Sequence, residues 1–80
     1  MDTHQFVHNY EGAGAFGLDR ETDEETLIFY LQKFSEDKFM AHLLPKLSNE
    51  EITRVYDLVN HLIHKHLSEE EYHRIFLKDR

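Results

Sequence analysis

Residues 47–76 read LSNEEITRVYDLVNHLIHKHLSEEEYHRIF, and the spacing of the apolar residues in its first twenty positions decides the fold class. Ile52, Val55, Tyr56, Val59, Leu62, Ile63 and His66 recur at three- and four-residue intervals. At 100° per residue they gather on one stripe, while Arg54, Asp57, His61 and His64 fall on the other side. This predicts an amphipathic helix over 49–66. The flanks carry a short echo: LSNEEITRVY (47–56) and LSEEEYHRIF (67–76). In each, a serine followed three residues later by glutamate has the form of a capping box, in which hydroxyl and carboxylate satisfy backbone amides reciprocally. Leu47 with Ile52, and Leu67 with Tyr72, stand where a hydrophobic staple would close. Glu50 with Arg54, and Glu70 with Arg74, are i,i+4 pairs in the favourable order, worth about 0.2–0.5 kcal/mol each. A second helix is therefore expected over 69–77. Two copies are too few for a solenoid.

Upstream, Thr22-Asp23-Glu24-Glu25 repeats the box and predicts a helix over 23–34; a weaker start at Ser35 predicts one over 36–44. Pro45 separates that helix from the next, because proline disfavours helix at the residue before it. Segment 23–34 differs from 49–66. Leu27-Ile28-Phe29-Tyr30-Leu31 is a run of five apolar or aromatic residues, so it wraps the helix. Leu27, Tyr30, Leu31 and Phe34 form the expected core stripe, and Phe29 falls nearly opposite, among Glu25, Gln32 and Lys33. A helix apolar on both sides must be covered on both sides. Residues 1–21 show no reliable period and are read as an irregular arm. It carries Phe6, Val7, Tyr10, Phe16 and Leu18, which disordered tails usually lack; docking over Phe29 and a free glycine-punctuated tail both remain open.

The expected fold is all-α: about four helices in a compact bundle (22–80), with the arm (1–21) lying across it. Eighty residues make one small domain at most, in which stability is thin. There is no cysteine, hence no disulfide, thiolate site or cysteine nucleophile. The start, MDTHQFVHNYEG, lacks the basic and apolar regions of a signal peptide, and no run approaches a membrane span; a cytoplasmic, non-membrane protein is expected. Sixteen acidic against nine basic residues give a net charge of -7. The basic residues are scattered, which disfavours nucleic acid.

Three constellations carry chemical possibilities. Gly12, Gly14 and Gly17 spell the G-x-G-x-x-G of a dinucleotide-binding turn, but that motif needs a preceding strand, a helix opening at its last glycine and a parallel sheet. None is expected here, so no cofactor is assigned. His61 and His64, at i,i+3, are the metal candidates, with His73 on the last helix; no spacing supplies the four ligands of structural zinc, and no metal site is assigned. Ser48 and Ser68 are engaged as caps, Asp23 to Glu25 serve the helix start, and no catalytic residue is assigned.

The stretches AFGLDRETDEETLIFYLQKF and HLSEEEYHRIFLKD resemble a family of short, uncharacterised bacterial cytoplasmic proteins, over most of the chain beyond residue 13. The resemblance implies bacterial origin and cytoplasmic location and brings no activity or site residue. The residues themselves favour a non-enzymatic protein-interaction or regulatory module, self-associating as a homodimer through the 23–34 helix, with Phe29, Tyr30 and Phe16 as partner-binding candidates. A histidine-based divalent-metal binder is the alternative.

Overall fold

A computed structural model of the protein describes residues 4–12 and 16–80. Every regular element among them is a helix: α1 Gln5–Asn9, α2 Arg20–Phe34, α3 Asp37–Leu43, a 3-10 turn Leu44–Lys46, α4 Asn49–His66, and α5 Glu69–Glu71. α5 runs on as a π-helix, Tyr72–Leu77. The all-α class is as expected. The helices fall into two compact units, one ending at Pro45 and the other spanning Lys46–Arg80.

In the C-terminal unit both serine boxes close. Ser48 Oγ accepts the Glu51 amide at 3.1 Å while the Glu51 carboxylate accepts the Ser48 amide at 2.8 Å. Ser68 and Glu71 repeat this at 3.2 and 2.8 Å. Each box satisfies two of the four amides that a helix start leaves unpaired. The i,i+4 pairs form as well, Arg54 to Glu50 and Arg74 to Glu70. α4 occupies the expected 49–66 because both of its ends are marked locally. Leu67 leaves helical geometry at φ -115, ψ 142, which frees Ser68 to cap the next turn. Beyond that turn the helix widens to π at Tyr72 and ends at Lys78, whose φ of 58 is left-handed.

The N-terminal unit departs from expectation at its helix starts. α2 opens at Arg20, three residues early, because Asp19 is its cap. The Asp19 carboxylate accepts the Thr22 amide at 2.8 Å and the Thr22 hydroxyl at 3.0 Å. Thr22 is thus a donor inside the first turn, and aspartate caps as well as serine. α3 likewise is capped by Glu36, which accepts from the Lys38 and Phe39 amides at 3.1 and 3.0 Å. Ser35, expected to start this helix, instead ends α2, its amide donating to the Leu31 carbonyl at 3.0 Å.

These caps have an acid signature. The Thr22 amide and hydroxyl hold the Asp19 carboxyl below its ordinary value. The Lys38 amide, then the Phe39 amide, do so for Glu36, and the Ser68 amide and hydroxyl for Glu71. A carboxylate with a depressed folded pKa contributes stability above its unfolded value and loses it as pH falls through the folded one. Helicity should therefore hold from pH 7 to about 4.5 and decline below about 4. Asp19→Asn, which keeps an acceptor without a charge, should reduce the acid sensitivity of α2. Amide chemical shifts at Thr22 across pH 5 to 2 test this; identical acid transitions in the two proteins would refute it.

Burial is sparse. Among the described residues only Thr26, 1% exposed, is buried, and no hydrophobic side chain is. Neither unit by itself encloses the apolar core that a closed bundle requires.

Candidate protein-interaction faces

The arm supplies a helix that the sequence did not predict. α1 carries Phe6 and Val7 and leads into Tyr10, an i, i+1, i+4 pattern spanning barely more than one turn. It packs against α2 at Thr26, Phe29 and Gln32, and the residue before it reaches Ser35 at the end of α2. Tyr10 is the centre of this contact: its ring sits 4.9 Å from Phe29 and 5.6 Å from Phe6, and its hydroxyl is 3.3 Å from Thr26 Oγ1. The Val7 amide donates to Gln32 Oε1 at 2.9 Å, and His4 Nε2 lies 2.8 Å from Ser35 Oγ. Lys33 Nζ stands 6.0 Å over the Phe29 ring, within cation–π reach.

This inverts the expected faces of α2. Phe29, expected to face outward, is half-buried under Tyr10. Three of the four residues of the expected core stripe remain uncovered: Leu27 is 52% exposed, Tyr30 59% and Leu31 56%, with Ile28 beside them, while Phe34 is half-buried. The reason is that α2 is apolar around most of its girth, so its own pattern does not select an inside. The neighbour does. Phe16 is exposed, as a partner-binding residue would have to be, and so is Tyr30. The apolar face continues into an open groove lined by Tyr30, Lys33, Phe34, Glu36 and Phe39, where Phe34 and Phe39 meet edge to face at 5.6 Å.

The glycines have mechanical uses. A Cβ on Gly12 would run into the Tyr10 ring, so the absent side chain lets that ring lie back toward Phe29. Gly17 takes φ +94, which only glycine adopts freely, and its amide donates to Asp23 Oδ1 at 2.7 Å. A carboxylate holds the amide that a phosphate would need. Gly14 lies outside the described residues.

The histidine candidates do not converge. No group of three or more His, Asp or Glu side chains that could hold a metal ion occurs among the described residues. His64 packs against the Tyr72 ring at 5.6 Å. His73 lies between two carboxylates, with Nδ1 3.1 Å from Asp79 and Nε2 3.8 Å from Glu69. His61 is exposed on α4. The His4–Ser35 contact brings together residue types used in acyl transfer, but the Ser35 hydroxyl donates to the Gln32 carbonyl at 3.2 Å. The Ser35 and Glu36 amides close the end of α2 and are turned away from any developing oxyanion. The pair ties α1 to α2.

α4 presents a second uncovered face. Ile52, Val55, Tyr56, Leu58, Val59 and Leu62 are all exposed. No helix among the described residues is long and apolar enough to cross a membrane.

No family model matches the chain, and no curated protein or solved structure matches it either. The functional reading rests on the faces themselves.

Proposed function

We propose that the protein is a small, non-enzymatic interaction module that offers an apolar helical face to another polypeptide. The observation that carries this is the uncovered cluster Leu27, Ile28, Tyr30 and Leu31 on α2, in a unit whose arm already covers the opposite side. Contiguous apolar residues inside a polar rim are the usual form of a protein-docking surface. Tyr30 serves as an anchor, contributing a broad ring and a hydroxyl that stays wet at the edge. The net charge of -7 favours basic partner segments and speeds their encounter. On this reading Tyr30 and Phe16 offer exposed rings to a partner, and Phe29 supports α1 through Tyr10.

A face that docks partners and a face that forms a monomer's interior respond differently to charge. Substitutions at exposed positions usually change stability by no more than about 0.5 kcal/mol, whereas an unpaired charge in an interior is strongly destabilising. The double variant Leu27→Glu, Leu31→Glu should keep the wild-type melting temperature within a few degrees. It should also bind less of a hydrophobic dye such as ANS, the remainder being held by the exposed face of α4. If instead it unfolds the chain, this face is internal and the reading fails.

A further inference from the structure

The second face, on α4, has a more specific occupant written into it. Ile52, Val55, Val59, Leu62 and His66 follow one another at intervals of three, four, three and four residues, the a/d seam of a coiled coil. On that register Glu51, Leu58 and Lys65 are the g positions flanking one side of the seam, and Tyr56 and Ile63 are the e positions flanking the other. Asp57 and His64 lie at f, on the back of the helix. Tyr72 packs against His64 there, so the segment after α4 meets its back and leaves the seam clear. Ile52, Val55, Leu58, Val59 and Leu62 are accordingly exposed.

Charge is segregated along the same helix. Its first turn carries Glu50 and Glu51, and its last turn carries His64, Lys65 and His66. We propose that α4 pairs with α4 of a second copy, antiparallel, about a two-fold axis close to Asp57. This rests on the interaction reading above and gives one face its partner. In that arrangement Ile52 faces the second copy's Leu62, and Val55 faces its Val59. Leu58 meets its own counterpart beside the axis, as Tyr56 does on the other flank. Glu51 comes beside the second copy's Lys65 twice over, by symmetry. His66 reaches the acidic first turn of the opposing helix, whose dipole also favours opposed alignment. A parallel pair gains none of this: His66 would face His66, Glu51 would meet the uncharged e position Tyr56, and Lys65 would have no e partner within α4. A two-fold pair also closes on itself, which limits association to a dimer.

The chain has no cysteine, so single-cysteine variants of the full-length protein report the geometry cleanly. Sedimentation should show a dimer at tens to hundreds of micromolar. Leu58→Cys should oxidise to a covalent dimer, while His66→Cys, which crosslinks only a parallel pair, and Thr53→Cys, on the outer surface, should not. Leu62→Glu should raise the dimer dissociation constant on the order of a hundredfold, since two charges enter the seam, with the circular dichroism of the monomer retained. Four results would overturn the proposal. One is a monodisperse wild-type monomer at several hundred micromolar. The others are efficient crosslinking through His66→Cys, none through Leu58→Cys, and a dimer indifferent to Leu62→Glu. None of these touches the test of the α2 face, so a failure of this pairing and a failure of that reading are told apart.

Discussion

Asn60→Pro is expected to destabilise the C-terminal unit by about 3 kcal/mol or more and to remove much of the helical signal of α4. Asn60 is the twelfth residue of an 18-residue helix. Proline there removes the amide that donates one turn back and drives its ring into the Tyr56 carbonyl. That carbonyl also accepts from Asn60 Nδ2 at 2.9 Å, so one substitution strips two bonds from one acceptor. What remains is two pieces shorter than the roughly 12–15 residues at which isolated helices become even marginal in water. No buried apolar side chain on α4 compensates. Asn60 lies off the apolar seam, so the cause is in the backbone, although breaking α4 also breaks the seam of the proposed interface. Asn60→Ala is the control: it loses the side-chain bond but gains helix propensity of up to about 0.7 kcal/mol, and should be nearly neutral. Circular dichroism at 222 nm with urea titration decides the matter. Equal midpoints for the proline and alanine variants would show that α4 contributes little to the unit's stability.

Tyr10→Ala should release α1 from α2, at a cost of about 2 kcal/mol. Truncating a fully buried aromatic costs about 3–5 kcal/mol, and Tyr10 is half-buried. Its ring is nevertheless the shared neighbour of Phe6 and Phe29, so its loss leaves α1 with little apolar contact. A five-residue helix does not persist without such contact. Tyr10→Phe keeps the ring and gives up the hydroxyl at Thr26, which should cost about 1 kcal/mol. The readout is amide exchange at Val7, whose proton is held by Gln32. It should become fast in Tyr10→Ala and slow only partly less in Tyr10→Phe. Unchanged protection of Val7 in the alanine variant would mean that α1 is held by its polar ties and not by the ring.

The two experiments probe parts of the chain that were unequally legible in the sequence. α4 was read to its terminal residues because everything that defines it is local. Its stripe repeats every three or four residues, and its cap joins Ser48 to Glu51. The start of α2 was misread for an equally local reason: Asp19 and Thr22 are both good caps, and only one can be used. The α1–α2 contact left a faint trace in Phe6, Val7 and Tyr10, too short a pattern to declare a helix. The face of α2 that the arm covers was legible only as one of two open alternatives, docking over Phe29 or a free tail, because Leu27 to Leu31 satisfies an inward and an outward reading equally well.

The amino-acid sequence by itself determined the all-α class, the extent of α4, both serine capping boxes and the presence of more apolar helix surface than one side of α2 can bury. These follow from hydrogen bonds and periodicities that close within three or four residues. Only the tertiary structure decided which side of α2 is the inside. That choice rests on Tyr10 meeting Thr26, Val7 meeting Gln32 and His4 meeting Ser35, across 16, 25 and 31 residues respectively. Contacts of that span depend on where a loop returns the chain, which no local pattern encodes. Their formation turned Phe29 inward and left Leu27, Tyr30 and Leu31 facing out.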